Sequence, residues 1–188
     1  MKILLLEPHP DDVFYYMGGY ILKHPEHEYY LITFSDCETL GLIAEHQSVI
    51  NGHIKDLKLM EIPRRKFSDY KELITDELFR RKKENFDIVF CPSDQDTHQD
   101  HKVINQAALT IFGKDTSVIF YAAHNYELAA NMFEIFYTKI MDQKIELLSR
   151  YKTQKDRDYF HPEFIRASHI FQKAGQYAEK FKIYKLWN

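Results

Sequence analysis

Short, wholly apolar segments alternate with longer amphipathic segments along most of this 188-residue chain. An apolar run of about 4 to 8 residues is too short for a typical helix and suits a strand that is buried on both faces. We predict such strands at residues 3–6, 28–34, 86–91 and 117–121. Strands separated by helices are typical of βαβ units, so the pattern predicts an α/β fold that is Rossmann-like, with a mostly parallel sheet and helices on both faces.

The segments between these strands have helical periodicity. Pro63 marks the end of one of them. No repeat, low-complexity tract or linker interrupts the chain, so we interpret residues 1–188 as a single domain. The predicted helices cover residues 12–23, 42–60, 69–84, 99–112 and 138–151, with another near the end of the chain.

Charge and composition exclude several classes of protein. The net charge is -3, with 25 basic and 28 acidic residues, and we expect no nucleic-acid partner because no basic stripe is present. No stretch of about 18 apolar residues predicts a transmembrane segment, and the first apolar run is too short for a signal peptide, so we interpret the protein as cytoplasmic. The two cysteines, Cys37 and Cys91, are isolated, and we expect Cys91 to be a buried thiol.

Two polar clusters follow two of the predicted strands. His9, Pro10, Asp11 and Asp12 come after the first strand, and residues 94–101, with the sequence DQDTHQDH, come after the strand at 86–91. Ligands of open parallel sheets bind outside the carboxyl ends of the strands. We therefore expect the two clusters to lie close together in space.

Histidine and aspartate are common ligands of divalent zinc, and the flanking prolines stiffen the first cluster. Taken alone, Asp12 could cap a helix, and the second cluster could be a solvated polar loop. Together the clusters supply three ligands with one position left open, which is the pattern of a catalytic zinc site. Asp11 would then be free to take a proton from a metal-bound water.

Four strings carry a resemblance to a known family. The segments LLLEPHPDDVFYYMGG and PSDQDTHQDHKVINQAAL resemble the two signatures of the PIG-L/LmbE-like family of zinc-dependent N-deacetylases, which act mostly on N-acetylated sugars. Two further strings, TKIMDQKIELLSRYKTQ and GQYAEKF, are similar to later family segments but are weak alone. The similarity runs along the whole chain.

The resemblance implies a role for each residue of the two clusters. The metal ligands would be His9, Asp12 and His101, and the general base would be Asp11. His98 would polarise the amide carbonyl, and Asp100 would orient one of the imidazoles. The implied cofactor is Zn²⁺, although Fe²⁺ or another divalent ion accepts the same ligands.

Some positions depart from the family pattern. Val13 stands where the family usually has glutamate, and a rough alignment puts Ser48 and Asn51 where it has arginine and glutamate. We interpret Gly18 and Gly19 as sites of close packing and His124 as a candidate substrate contact. The remaining histidines have no spacing that suggests a shared partner.

The function that follows is deacetylation of a small-molecule N-acetylated substrate, with a sugar as the expected class. Two alternatives stay open: a metal-dependent hydrolase of another bond, such as a phosphoester, and a non-catalytic metal-binding module. The absence of a glycine-rich turn disfavours a Rossmann nucleotide binder. The sequence leaves the oligomeric state open, including a homo-oligomer.

Overall fold

The structure, a computed structural model, describes residues 1–35, 41–122 and 128–187. One sheet runs through these ranges. Its strands are β1 (Lys2–Glu7), β2 (Glu28–Ser35), β3 (Asp56–Ile62), β4 (Ile88–Pro92), β5 (Ser117–Tyr121), β6 (Met132–Tyr137), β7 (Ile170–Phe171) and β8 (Lys173–Lys185). They are ordered β3-β2-β1-β4-β5-β8-β6, and β7 pairs with β8. The first five in this order are parallel, and β8 pairs antiparallel with β5 and β6.

Helices cover both faces of the sheet, which confirms the predicted α/β class. Alternate residues of β1 point to opposite faces, so Ile3 and Leu5 belong to one buried cluster while Leu4 and Leu6 belong to another. The helices are α1 (Asp12–Lys23), α2 (Leu42–Ile50), α3 (Lys71–Lys82), α4 (Gln99–Phe112), α5 (Thr138–Leu148) and α6 (Pro162–His169). The first cluster includes residues of α1, α2 and α5, and the second includes residues of α3 and α4.

One sequence prediction was wrong and the strand β8 was not predicted, whereas the helix expected near the end of the chain is α6. The helix expected over residues 42–60 stops at Ile50, because Gly52 takes a left-handed φ of 81° and the chain then enters β3 beside β2. Near the end of the chain the long strand β8 follows α6. Both strands are defined by pairing with distant partners, which overrides their local sequence preference.

No helix among the described residues is long and apolar enough to cross a membrane. Cys91 is buried as expected, and burial raises the pKa of its thiol. Cys37 and the candidate substrate contact His124 lie outside the described residues. The interpretation of residues 1–188 as a single domain stays a prediction.

Candidate metal centre

The two polar clusters meet at the edge of the sheet where the strand order reverses. β1 and β4 are adjacent and parallel, with Ile3 paired to Ile88 and Leu5 to Phe90. The turn that starts after Glu7 and the loop that starts after Pro92 therefore leave the sheet side by side. Such a reversal point is where open α/β sheets bind their ligands.

Three ligand atoms converge between the two clusters. His9 Nδ1 lies 3.3 Å from Asp12 Oδ2, and His101 Nε2 lies 3.3 Å from the same oxygen. The two imidazole nitrogens are 3.2 Å apart. Ligands bound tetrahedrally at about 2.0–2.1 Å from zinc lie roughly 3.3–3.4 Å from one another. The triangle formed by His9, Asp12 and His101 therefore fits a divalent ion of this size.

Each imidazole has a carboxylate behind it. Asp100 Oδ2 lies 3.3 Å from His9 Nε2, and Asp96 Oδ2 lies 2.5 Å from His101 Nδ1. A carboxylate on the far nitrogen fixes the tautomer of a metal-binding histidine and makes its other nitrogen a better ligand. The sequence prediction assigned an orienting role to Asp100 and missed Asp96. The available signal was the position of Asp96 within the same polar cluster.

Nearby carboxylates favour positive charge at these two histidines. Burial opposes protonation of His101, but Asp12 and Asp96 outweigh it and raise the pKa of His101 to about 10. His9 also has a raised pKa, because Asp100 and Asp12 outweigh the effect of burial. A bound metal ion replaces protons at such ligands. The site therefore favours a cation at the position where the three ligand atoms meet.

His98 occupies a neighbouring position with a different environment. It is the N-cap residue of α4, and its Nδ1 accepts a hydrogen bond of 3.2 Å from the backbone N–H of Asp100. Burial and the two other histidines lower the pKa of His98, so the ring is neutral and its proton is assigned to Nε2.

The described residues also contain the set His9, His98 and His101, whose ligand atoms all lie within 4.8 Å. Every side of the triangle with Asp12 is 3.3 Å or shorter, which matches the spacing of ligands around zinc, so we favour it as the metal set.

A cavity of about 190 Å³ opens over these residues. Its lining includes the half-buried Asp11, whose pKa is raised to about 6 by burial and by Asp12. Tyr15 and Tyr16 line it as well, so these rings are part of the site and not only of the core. Arg64, Arg157 and Tyr159 are further residues of the lining.

A buried polar network holds the turn that carries His9 and Asp12. Glu7 accepts hydrogen bonds from the backbone N–H of Val13 and from Thr33, and its carboxylate lies 3.1 Å from His46 Nε2. His46 Nδ1 lies 2.8 Å from the hydroxyl of Tyr151, which donates to the carbonyl oxygen of Pro10. The sequence prediction missed this network, because its members are widely separated along the chain.

The departures from the family pattern at α2 do not face the site. Ser48 is exposed, and its hydroxyl donates to the backbone carbonyl of Glu45 within the helix. Asn51 is the exposed C-cap residue. The buried polar side chain on this helix is His46, which reaches the Glu7 network described above.

The two weaker strings of the sequence meet in a second buried network. Lys144 of α5 donates to Glu179 of β8 over 2.6 Å, and Glu179 also accepts the backbone N–H groups of Gly19 and Tyr20. A Cβ atom on Gly19 would lie 2.4 Å from the ring of Phe136. Gly19 is therefore a site of close packing, as the sequence predicted.

A match to a family model shows to which protein family the chain belongs. The model described as PIG-L, GlcNAc-PI de-N-acetylase, matches residues 4–112, which is more than half of the chain. The chain belongs to the PIG-L family. The matched segment contains both polar clusters and all the residues of the candidate metal centre. No curated protein matches the chain.

Solved structures share the fold at low sequence identity. N,N'-diacetylchitobiose deacetylase from Pyrococcus horikoshii superposes with a TM-score of 0.78 at 20% identity over 97% of this chain and 83% of that chain. The zinc-inhibited form of teicoplanin deacetylase gives 0.75 at 13% identity over 96% and 97%. The 4-carboxy-2-hydroxymuconate hydratase from Pseudomonas putida KT2440 gives 0.68 at 14% identity over 100% and 97%. These likenesses establish the PIG-L fold for this chain.

Proposed function

We propose that this PIG-L family member is a divalent-metal-dependent deacetylase that removes the acetyl group from an N-acetylated sugar. The observation that supports it most is the triangle of His9 Nδ1, Asp12 Oδ2 and His101 Nε2 at the base of a cavity, with Asp11 beside it. The family description and the deacetylases among the structural neighbours point to the same chemistry. We propose zinc as the ion, since the ligands and their spacing suit it.

The ligand set defines what each residue contributes. An ion held by His9, Asp12 and His101 would polarise the amide carbonyl and make a bound water more acidic. His98, with its proton on Nε2, donates a hydrogen bond to the carbonyl oxygen as negative charge develops there. Asp100 and Asp96 keep the two ligand imidazoles in place.

Asp11 accepts a proton from the attacking water and later donates it to the leaving nitrogen. With a pKa near 6, its carboxylate is mostly ionised at neutral pH and can still accept a proton from the attacking water. The water oxygen bonds to the acetyl carbon, and the bond from that carbon to nitrogen breaks. Asp11 then returns the proton to the leaving nitrogen, which gives acetate and the free amine.

The cavity also suggests how a sugar is oriented. Tyr15, Tyr16 and Tyr159 contribute aromatic side chains to the lining, and Arg64 and Arg157 bring positive charge. Neither of these arginines forms an ion pair within the described part of the chain. A substrate with a phosphate or carboxylate group would complement them. Both charged and neutral N-acetylated sugars should therefore be tested as substrates.

The deciding experiment compares two neighbouring aspartates. Asp11→Asn should retain the metal and lose about 10²–10⁴-fold in kcat, since only the proton acceptor is removed. Asp12→Asn and His101→Ala should lose the metal as well as activity. Asp158→Asn, an exposed change, is the matched control. Each variant is assayed on N-acetylglucosamine, its 1-phosphate and a phosphate monoester, and its zinc content is measured.

The outcomes separate the candidate functions. Acetate release that depends on Asp11 supports the proposal, and normal turnover by Asp11→Asn would remove the assigned base. Phosphate release without acetate release would favour the phosphoester alternative. Stoichiometric metal with neither product would favour a non-catalytic metal-binding module.

A further inference from the structure

A second group of side chains that can bind a metal ion lies at the opposite end of the parallel strands. The segment His24-Pro25-Glu26-His27 joins the end of α1 to the start of β2. It therefore lies at the amino ends of the parallel strands, whereas the candidate metal centre lies at their carboxyl ends. A strand of the length of β1 separates the two edges by about 20 Å. The two groups cannot share an ion.

The ligand atoms of this segment are already close together. Glu26 Oε1 lies 3.3 Å from His24 Nδ1 and 3.6 Å from His27 Nδ1. One ligand atom from each of the three residues lies within 4.8 Å of the other two. The imidazole planes of His24 and His27 are nearly parallel, with an angle of 6° between them, and the ring centroids are 5.5 Å apart. The spacing is close to that of ligands around a tetrahedral or trigonal metal ion.

A backbone hydrogen bond and the hydroxyl of Tyr29 hold this arrangement. The N–H of His27 donates to the carbonyl oxygen of His24, and the hydroxyl of Tyr29 donates to the same oxygen. The Nε2 atom of His24 is buried and has no hydrogen-bond partner among the described residues. Glu134 Oε2 lies 3.3 Å from it, which is close enough to attract a proton on Nε2.

Metal binding at Nδ1 would fix the proton of His24 on Nε2, facing Glu134. This is the carboxylate–histidine–metal arrangement that supports known sites.

We propose that His24, Glu26 and His27 form a second metal site that binds a borderline divalent ion such as Zn²⁺, Co²⁺ or Ni²⁺. Two imidazoles and a carboxylate are the ligands that these ions prefer, and the exposure of Glu26 leaves a position open to water. The amino group of Met1 approaches His27 Nδ1 to 3.5 Å, and a bound ion would displace that contact. The ion would fasten the end of α1 to the start of β2.

Cobalt titration of the whole chain tests this site. The absorption bands of Co²⁺ report the number and geometry of bound ions. We expect about two equivalents in the original chain and about one in His101→Ala, where the candidate metal centre is disabled. Adding His24→Gln and His27→Gln to that variant should abolish the remaining signal, and Glu26→Gln should weaken it. On their own, His24→Gln and His27→Gln should leave deacetylation unchanged.

The control is His161→Gln, which removes an exposed histidine outside both groups and should retain both equivalents. The inference is overturned if His101→Ala binds no cobalt. It is also overturned if the second equivalent survives His24→Gln with His27→Gln, or disappears equally in His161→Gln. If the original chain binds only one equivalent, and that equivalent is unchanged in His101→Ala but vanishes with His24→Gln and His27→Gln, the result supports this site and removes the metal centre proposed above.

Discussion

At the scale of single residues, the two ligand imidazoles of the proposed metal centre differ in how they are supported. His101 Nδ1 is held by Asp96 at 2.5 Å, and Asp96 also accepts the backbone N–H of His98. His9 Nε2 is 3.3 Å from Asp100, which is shared with the backbone N–H of Arg65. Asp96 therefore orients the His101 imidazole and also fixes the backbone just before α4.

We therefore predict that Asp96→Asn weakens metal binding by about 10–100-fold, because the amide is a poorer acceptor for the Nδ1 proton of His101. Zinc dissociation constants measured by competition with a chelator would give this ratio. Asp94→Asn is the matched control, since Asp94 forms an ion pair with Lys182 instead of a ligand histidine. Equal affinities of Asp96→Asn and Asp94→Asn would contradict the role given to Asp96.

A second residue-scale prediction concerns Tyr151. Tyr151→Phe removes the donor to the Pro10 carbonyl and leaves that oxygen and His46 Nδ1 without this partner. We expect a loss of about 1–3 kcal/mol in unfolding free energy and weaker zinc binding, because the metal-binding turn is less firmly held. Urea unfolding and zinc titration measure the two effects. The exposed change Tyr137→Phe should produce neither; unchanged zinc affinity in Tyr151→Phe would show that the turn is held by other contacts.

At the scale of elements, α1 connects the metal centre to the far side of the sheet. Its first residue is the ligand Asp12, and its middle packs against β6 and β8 through Gly19. Glu179 of β8 accepts the N–H groups of Gly19 and Tyr20, where the helix departs from regular geometry near Met17. The absence of a side chain at Gly19 lets the strand and the helix approach this closely.

Replacement of two adjacent glycines of α1 by alanine should have opposite effects on the unfolding free energy. Gly19→Ala places Cβ 2.4 Å from Phe136 Cε1 and should destabilise the chain by about 2–3 kcal/mol through overpacking. Gly18→Ala meets only Lys144 at 3.5 Å, an ordinary contact, and should be neutral or about 0.5–1 kcal/mol more stable. Urea unfolding of both variants makes the comparison. A similar loss in both would mean that backbone freedom, and not space, limits this helix.

At the scale of the whole molecule, buried charges join the last third of the chain to α1. Lys144 of α5 contacts Glu179 over 2.6 Å and His169 Nε2 over 2.9 Å. His169 Nδ1 lies 2.8 Å from the carbonyl oxygen of Ile165. Burial and the neighbouring Lys144 lower the pKa of His169 to about 3. The folded chain therefore keeps this histidine neutral at pH values where the unfolded chain protonates it.

This difference predicts how stability depends on pH. The stability contributed by a neutral His169 is fully present above its ordinary pKa of 6.5 and is lost as the pH falls toward 3. At pH 4.5 the loss amounts to about 2–3 kcal/mol. His169→Gln should remove this component, so its unfolding free energy should fall less between pH 7 and 4.5. Parallel pH slopes for the variant and the original chain would contradict the assignment.

Several elements between Asp12 and Tyr121 could be predicted from local patterns. The bounds of α1, α4 and β5 agree with the sequence analysis, because their apolar spacing and flanking polar residues are short-range signals. β3 and β8 could not be predicted in this way. β3 forms by pairing with β2, and β8 forms by pairing with β5. The paired residues lie roughly 25 to 65 positions apart in the chain, beyond the reach of a local pattern.

The sequence by itself determined the donor atoms and their approximate location. The strings that contain His9, Asp12 and His101 follow two apolar runs, and in a parallel sheet the carboxyl ends of the strands bring such segments to the same end of the sheet. Only the tertiary structure decided which donors approach within 3.3 Å and which side chains support them. Asp96, the Glu7 network and the cluster at His24 depend on orientations and contacts that are fixed by packing of the assembled layers, and no local pattern encodes them.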